Sequence, residues 1–289
     1  MLKQLPLALI VLVSLTCPTA DAGATQILRI GMSAPPESDQ GVFARRFKTI
    51  VESLSRGEIR VSVFADSAFG SDPDLLDHLR SGSLAAVTVS TGNAVASVEE
   101  LGTLALPGLV ETHEEAVKAT TGSTGSYWNE LCMKKGNARI LGWSYSGPRT
   151  VYAPGPLPRT PDRLRDFVVS ATFTEWEAGA ATTRDSLAAS AHKDAVPLYR
   201  YYRMHPFVIG GAAWRQFSPE HRDILVQAGR EAQQYAILMQ ALKPVDRQGA
   251  LTRPALTNAQ LQNLIWPEFY DLLGGKGPIT RVLDAITWR

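Results

Sequence analysis

An α/β fold is predicted, and three observations carry the prediction. Apolar residues at the two-residue period of a strand (Ile59, Val61 and Val63, with Arg60 and Ser62 between them) follow apolar residues at helical spacing (Phe43, Phe47, Ile50, Val51 and Leu54). Strands that alternate with helices imply parallel pairing in a sheet. The chain has 289 residues, 45% of them hydrophobic, enough core for two domains or one large one.

The chain opens on a secretory layout. Lys3 is a short positive start, Leu5 to Thr16 is apolar, and Ala20-Asp21-Ala22 is a small-x-small cleavage signal. The expectation is a signal peptide over residues 1–22 and a periplasmic location. Cys17 would suit a lipid anchor, but Ser14-Leu15-Thr16 lacks the small residue usual ahead of it. Cleavage would remove Lys3 and Asp21, keep the net charge at +1 and leave Cys132 as the single cysteine. Stability then falls to packing rather than to a disulfide. A near-neutral chain also lacks the clustered basic surface that nucleic acid demands.

Beyond the leader, Ile27 to Met32 reads as a buried strand, broken by Ser33-Ala34-Pro35-Pro36. The helix carrying Phe43 to Leu54 ends near Gly57, and the strand Ile59–Val63 follows. In such sheets ligands gather at the carboxyl ends of strands, which points to Ser33-Ala34-Pro35, Ser67-Ala68-Phe69 and Ser90-Thr91-Gly92. His113 to Lys135 reads as helix, Arg139–Trp143 and Arg149–Tyr152 as two strands, and Ala153 to Pro158 as a proline-rich crossing. Pro161 starts a short helix after Thr160. Phe167 to Thr172 is a strand candidate, Glu175 to Ala191 a helix, and Leu198–Met204 and Phe207–Ile209 strands. Ser218-Pro219 opens the longest helix, with Ile224, Ala228, Ala232, Tyr235, Met239 and Leu242 along one face. Thr257 and Gln260 form a capping box for a last helix that Pro267 kinks.

Catalytic signatures are weak. His78, His113, His192, His205 and His221 show no metal-ligand spacing among themselves or with Cys132, and read as surface or loop residues. Gly142-Trp143-Ser144-Tyr145-Ser146 has Ser146 where a nucleophile elbow needs its second glycine. Gly274-Gly275-Lys276-Gly277 lacks the rest of a phosphate loop and reads as a helix C-cap. Glu175 and Glu177 flank Trp176, but residues two apart diverge on a helix, and the pair reads as an acidic helix N-terminus. Tyr199-Arg200-Tyr201-Tyr202-Arg203 mixes aromatic and basic residues as single-strand binders do, yet a half-exposed strand explains it equally. A hydrolase using Glu175 or Glu177 is therefore the weakest reading, and no cofactor or metal is expected.

The order of several motifs resembles the solute receptors of tripartite ATP-independent periplasmic (TRAP) transporters, of the dicarboxylate-receptor type. They are Arg29-Ile30-Gly31 with Pro35-Pro36, Gly57 to Phe64, Ser90-Thr91-Gly92, Leu104-Ala105-Leu106-Pro107, Gly142-Trp143 with Gly147-Pro148-Arg149, Thr160-Pro161-Asp162-Arg163-Leu164, and Ala213 to Glu220. The resemblance implies a periplasmic binding protein-like fold, two α/β domains joined by a hinge and a long helix. It implies a first domain over 23–152, a second over 153–217, and the long helix with C-terminal helices over 218–289, part of which packs back on the first domain. It also implies capture of a small, carboxylate-bearing solute and delivery to membrane carrier subunits, without catalysis. Arg149 would supply the main charge, Ser33, Ser90 and Thr91 polar contacts, and Trp143 and Trp176 apolar walls.

One departure stands out. Where the family carries a strand ending in its carboxylate-clamping arginine, this chain has Arg165-Asp166-Phe167-Val168-Val169-Ser170, with Ser170 at the clamp. A strand–helix–strand unit of about 30 residues is expected to be missing, leaving a reduced second domain. A lost charge-assisted contact costs about 1.5–3 kcal/mol, so carboxylate binding is expected to be weak. A sensor or interaction module, or a relic without a ligand, is the alternative.

Overall fold

The computed structural model describes residues 25–153, 155–178, 195–244 and 253–287. The leader, His192 and most of the expected 175–191 helix lie outside these residues.

The expected α/β alternation is present. Strand β1 (Gln26–Met32) leads into helix α1 (Asp39–Leu54), β2 (Ile59–Phe64), α2 (Asp72–Ser81), β3 (Ala86–Thr88) and the single turn α3 (Thr91–Ala94). Ser38, Ser71 and Ser90 stand at the N-caps of α1, α2 and α3, and the Ser38 and Ser90 hydroxyls accept from Gly41 N and Asn93 N. Such caps satisfy backbone N–H groups that the first turn leaves orphaned. A 3-10 turn (Glu99–Ala105), α4 (His113–Thr120) and α5 (Gly122–Lys135) precede two long strands, β4 (Ala138–Ala153) and β5 (Val196–Gly210), with α6 (Pro161–Ala178) between them in sequence. Then come α7 (Gly211–Gln216), α8 (Pro219–Ala241), a mixed helical segment over residues 258–269, and α9 (Gly277–Thr287).

The five strands form one sheet in the order β2-β1-β3-β5-β4, with β1 parallel to β2 and β3, and β5 antiparallel to β3 and β4. Strand β3 is buried throughout, as a central strand covered on both faces requires, whereas β2 alternates buried Ile59 and Val61 with the exposed Arg60. Helices α1 and α8 pack on each other and on β4. Close approach of α8 needs glycine on both sides: a Cβ on Gly142 would sit 2.8 Å from the Gly229 carbonyl and 2.9 Å from the Phe43 ring.

Several expectations change in the structure. Residues 167–172 are helix, not strand. The run Phe167-Val168-Val169 favours a strand locally, but Val168, Thr172, Glu175 and Trp176 are the buried positions of α6, at spacings of four, three and one. Tertiary burial of one helical face overrides propensity. The four short strands expected over 139–152 and 198–209 are two long ones, in which bulges absorb the irregular residues. Helix α8 buries Leu225, Ala228, Gly229, Ala232 and Ala236, a face rotated from the expected one and leaving Tyr235, Met239 and Leu242 exposed. The Thr257–Gln260 capping box is present, and a π-helical turn (Leu261–Ile265) hands over to a 3-10 turn carrying Pro267. At Gly274 and Gly275, both with positive φ, the Gly275 N–H donates to the Tyr270 carbonyl, the helix-ending geometry expected. Cys132 is buried in α5, and burial pushes its thiol up to about 12.

Candidate functional site

The site is built where α3, α6 and β5 meet. On β5, Tyr199, Tyr201 and Arg203 recur at the two-residue spacing that puts side chains on one side of a strand. Tyr199 Oη donates to Thr172 Oγ1 at 3.0 Å and Tyr201 Oη donates to Glu175 Oε1 at 2.8 Å, both on α6. Tyr202 takes the other side, where its hydroxyl meets His113 Nδ1 at 2.9 Å.

A bulge in β4 delivers Arg149 to this site. Tyr145 pairs with Met204, but Gly147 pairs with Arg203, so two residues are spent on β4 for one on β5. Without the bulge, Tyr145 and Arg149, four apart, would face the same way. With it, Tyr145 points away, its hydroxyl 2.7 Å from Thr120 Oγ1 and 2.9 Å from the Gln233 amide that donates to it. Arg149, opposite Tyr201, turns instead toward α6. Re-aiming side chains is a recurrent use of bulges.

Arg149 is buried and forms an ion pair with Glu175: Nη2 donates to Oε2 at 3.2 Å, and Nε contacts Oε1. Glu175 is itself buried, so one carboxylate receives both Arg149 and the Tyr201 hydroxyl in a water-poor interior. Glu175 lies near the C-terminal end of α6 rather than at a helix start, and Glu177, two residues on, is exposed.

A cavity of about 10 Å³ lies above this pair, lined by Ser90, Thr91, Glu175, Trp176, Tyr201, Arg203 and His205, among others. That is room for about one water. Trp176 closes one wall, its indole N–H donating to the Ala105 carbonyl at 3.2 Å. Gly92 admits the indole, since a Cβ there would stand 2.6 Å from Trp176 Cγ. His205 is fully buried rather than superficial, with Nε2 2.9 Å from Ser146 Oγ. Burial, reinforced by the positive Arg203, holds its imidazole well below the usual range, while a hydrogen bond with the Val89 backbone opposes the shift. Burial likewise presses the Arg203 guanidinium below its ordinary value and the Tyr201 phenol above its own.

Asp72 organises the strand-end loops. Its carboxylate accepts from Ser33 Oγ at 2.5 Å, Ser90 N at 2.8 Å and Asn93 Nδ2 at 3.2 Å. Of the residues singled out from sequence, Ser90, Thr91 and Trp176 line the cavity and Arg149 reaches it through Glu175. Ser33 spends its hydroxyl on Asp72, and Trp143 is buried in β4, outside the lining. Tyr201 and Arg203 stand in sequence only as parts of a half-exposed strand and His205 as a surface or loop residue, and nothing in the sequence marks Asp72. The alternation Tyr199-x-Tyr201-x-Arg203-x-His205 was the signal available for the first three. Among the described residues no cluster of His, Cys, Asp and Glu could hold a metal ion.

Residues 30–172 match the bacterial extracellular solute-binding protein family 7. Over those residues the chain belongs to that family. The family is one of solute-binding proteins rather than enzymes. A solute-binding protein of Chromohalobacter salexigens is 25% identical over 135 residues, 47% of this chain and 40% of that relative. The matched stretches cover less than half the length of the curated relatives. Two solved structures show the same fold. A TRAP periplasmic solute-binding protein of Rhodobacter sphaeroides, apo and open, superposes with a TM-score of 0.68 at 22% identity, covering 90% of this chain and 98% of that one. One of Shewanella oneidensis, with bound succinate, gives 0.67 at 18% identity, covering 91% and 100%.

Proposed function

We propose that this family 7 protein is an extracytoplasmic receptor that captures a small organic acid and delivers it to the membrane subunits of a TRAP transporter. The observation that carries the reading is the convergence of the half-buried Arg203, and of Arg149 through its buried pair with Glu175, with Ser90 and Thr91 at a strand end of the sheet. Arginine meets a carboxylate with two parallel hydrogen bonds, and small hydroxyls and the N–H groups of a helix start add shorter contacts. The Shewanella oneidensis relative with succinate bound makes an organic acid the natural first candidate. In this reading the leader at 1–22 sends the chain to the periplasm. The 23–152 and 153–217 regions act as a first domain and a reduced second one, braced by 218–289, with the family's clamp arginine lost with a missing segment.

With room for about one water, the described arrangement is a closed one, and a solute enters only when α6 moves off α3. The moving contact is Trp176 on Gly92. A closed state is stabilised by ligand contacts made only there. The alternative is a ligandless descendant serving as a sensor or interaction module. The Arg149–Glu175 pair favours it, because the chain's own carboxylate already occupies the arginine.

A thermal-shift panel of organic acids, amino acids and sugars separates the two. A ligand at 100 times its Kd adds about 2.7 kcal/mol. A receptor responds to one acid, and Arg203→Lys weakens that response without unfolding the chain. A folded protein indifferent to the whole panel overturns the receptor reading.

A further inference from the structure

A second, larger cavity of about 380 Å³ lies away from the candidate site, between α2, α3, α5 and the C-terminal end of β5. Leu79, Val89, Val98, Leu101, Cys132 and Val208 form its walls, and all are buried. Its volume falls within the range typical of small-molecule pockets. Walls of this kind offer water too few hydrogen-bond partners to hold it well, so the suitable occupant is apolar along most of its length.

The charged lining is one-sided. Arg80 and Lys135 line the cavity, and no acidic side chain does among the described residues. Arg80 is exposed and Lys135 is about two-fifths exposed, which places both at the mouth. Their acid partners stand outside the lining: Asp77 at 3.0 Å from Arg80, and Glu99 and Glu100 at 2.9 and 2.5 Å from Lys135. The exposed pairs with Asp77 and Glu99 are worth little, so a ligand carboxylate can share or exchange them, while the buried Glu100 holds Lys135 at the rim.

We propose that this cavity binds a medium-chain monocarboxylate, its aliphatic tail among Leu101, Cys132 and Val208 and its carboxylate at Arg80 and Lys135. Counting about 30 Å³ for each water-sized group, the cavity takes a chain of about ten carbons. The proposal stands independently of the organic-acid site, which is formed by other residues.

Calorimetric titration of the purified protein with butyrate, hexanoate, octanoate and decanoate tests it, with octylammonium and 1-octanol as head-group controls. Affinity should rise about fourfold per added methylene up to decanoate, and octylammonium should bind at least tenfold more weakly than octanoate. Arg80→Gln combined with Lys135→Gln, both at the rim, should weaken octanoate about tenfold and leave 1-octanol unchanged. Cys132→Phe fills the cavity and should abolish binding. If that variant fails to fold, the rim variant carries the test. Saturating succinate should not displace octanoate. Absence of binding, affinity independent of chain length, equal binding of octylammonium, insensitivity to the variants, or displacement by succinate would each overturn the proposal.

Discussion

Replacing Glu175 by alanine removes the carboxylate that receives both Arg149 and the Tyr201 hydroxyl in the interior. Breaking a buried pair from one side costs about 3–5 kcal/mol, because the surviving charge keeps its desolvation penalty. A chain of this size loses about 2–4 °C in Tm per kcal/mol, so Glu175→Ala should melt on the order of 10 °C lower. Glu175→Gln keeps an acceptor for Tyr201 and the shape of the side chain, and should cost about 1.5–3 kcal/mol. Arg149→Ala should cost about as much as Glu175→Ala, yet the double variant should cost less than the two together by about 2 kcal/mol, since each single change strands the other partner. The space vacated at Glu175 faces Arg149, so acetate should stabilise Glu175→Ala well beyond its effect on the parent protein. Urea unfolding of the parent and the four variants, with and without acetate, reads every term. Additive losses, or an acetate response equal to that of the parent, would refute the view that Glu175 stands where an anion would bind.

Other outcomes follow from the same geometry. The folded state refuses His205 a proton that the unfolded chain accepts near pH 6.5, so stability is complete above that value and falls below it. Between pH 7 and pH 5 stability should fall through this residue, His113 adds in the same direction, and His205→Gln should flatten the urea midpoint over that range. Gly92→Ala drives a methyl group to 2.6 Å from Trp176 Cγ and should cost about 1–3 kcal/mol, seen with red-shifted tryptophan emission. Cys132, with its thiol held near 12, should resist iodoacetamide at pH 7.5 in the native protein and react at once in urea. Ser38→Ala removes the hydroxyl that accepts from Gly41 N and should cost about 1 kcal/mol.

The parallel half of the sheet was legible because its strands are short apolar or alternating stretches bounded by clear turns. The long strands were not, since Gly147-Pro148 and His205-Pro206 look like breaks, and only partner pairing reveals the first as ladder resumed after a bulge and the second as regular ladder. Helix α6 was misread for a related reason: Phe167-Val168-Val169 resembles a strand until the four-residue step from Val168 to Thr172 is weighed. At the site, hydroxyl-rich strand ends found Ser90 and Thr91. Asp72 stayed hidden because a carboxylate at a helix start looks like an ordinary dipole partner, and its three contacts come from loops 18 to 39 residues away. The partner of Arg149 could not be read at all, because it depends on a phase change inside β4.

That phase change makes chain length itself a determinant. Between Gly142 and Tyr145, odd and even positions of β4 follow one assignment to the two faces, and between Gly147 and Val151 they follow the opposite one. Removing a single residue there would leave composition and hydropathy almost untouched, yet carry Arg149 round to the side of Tyr145, Thr120 and Gln233. Related chains can therefore vary freely in the Gly155–Pro158 connection while the spacing between Tyr145 and Arg149 stays fixed at four, a constraint on indels that no single side chain records.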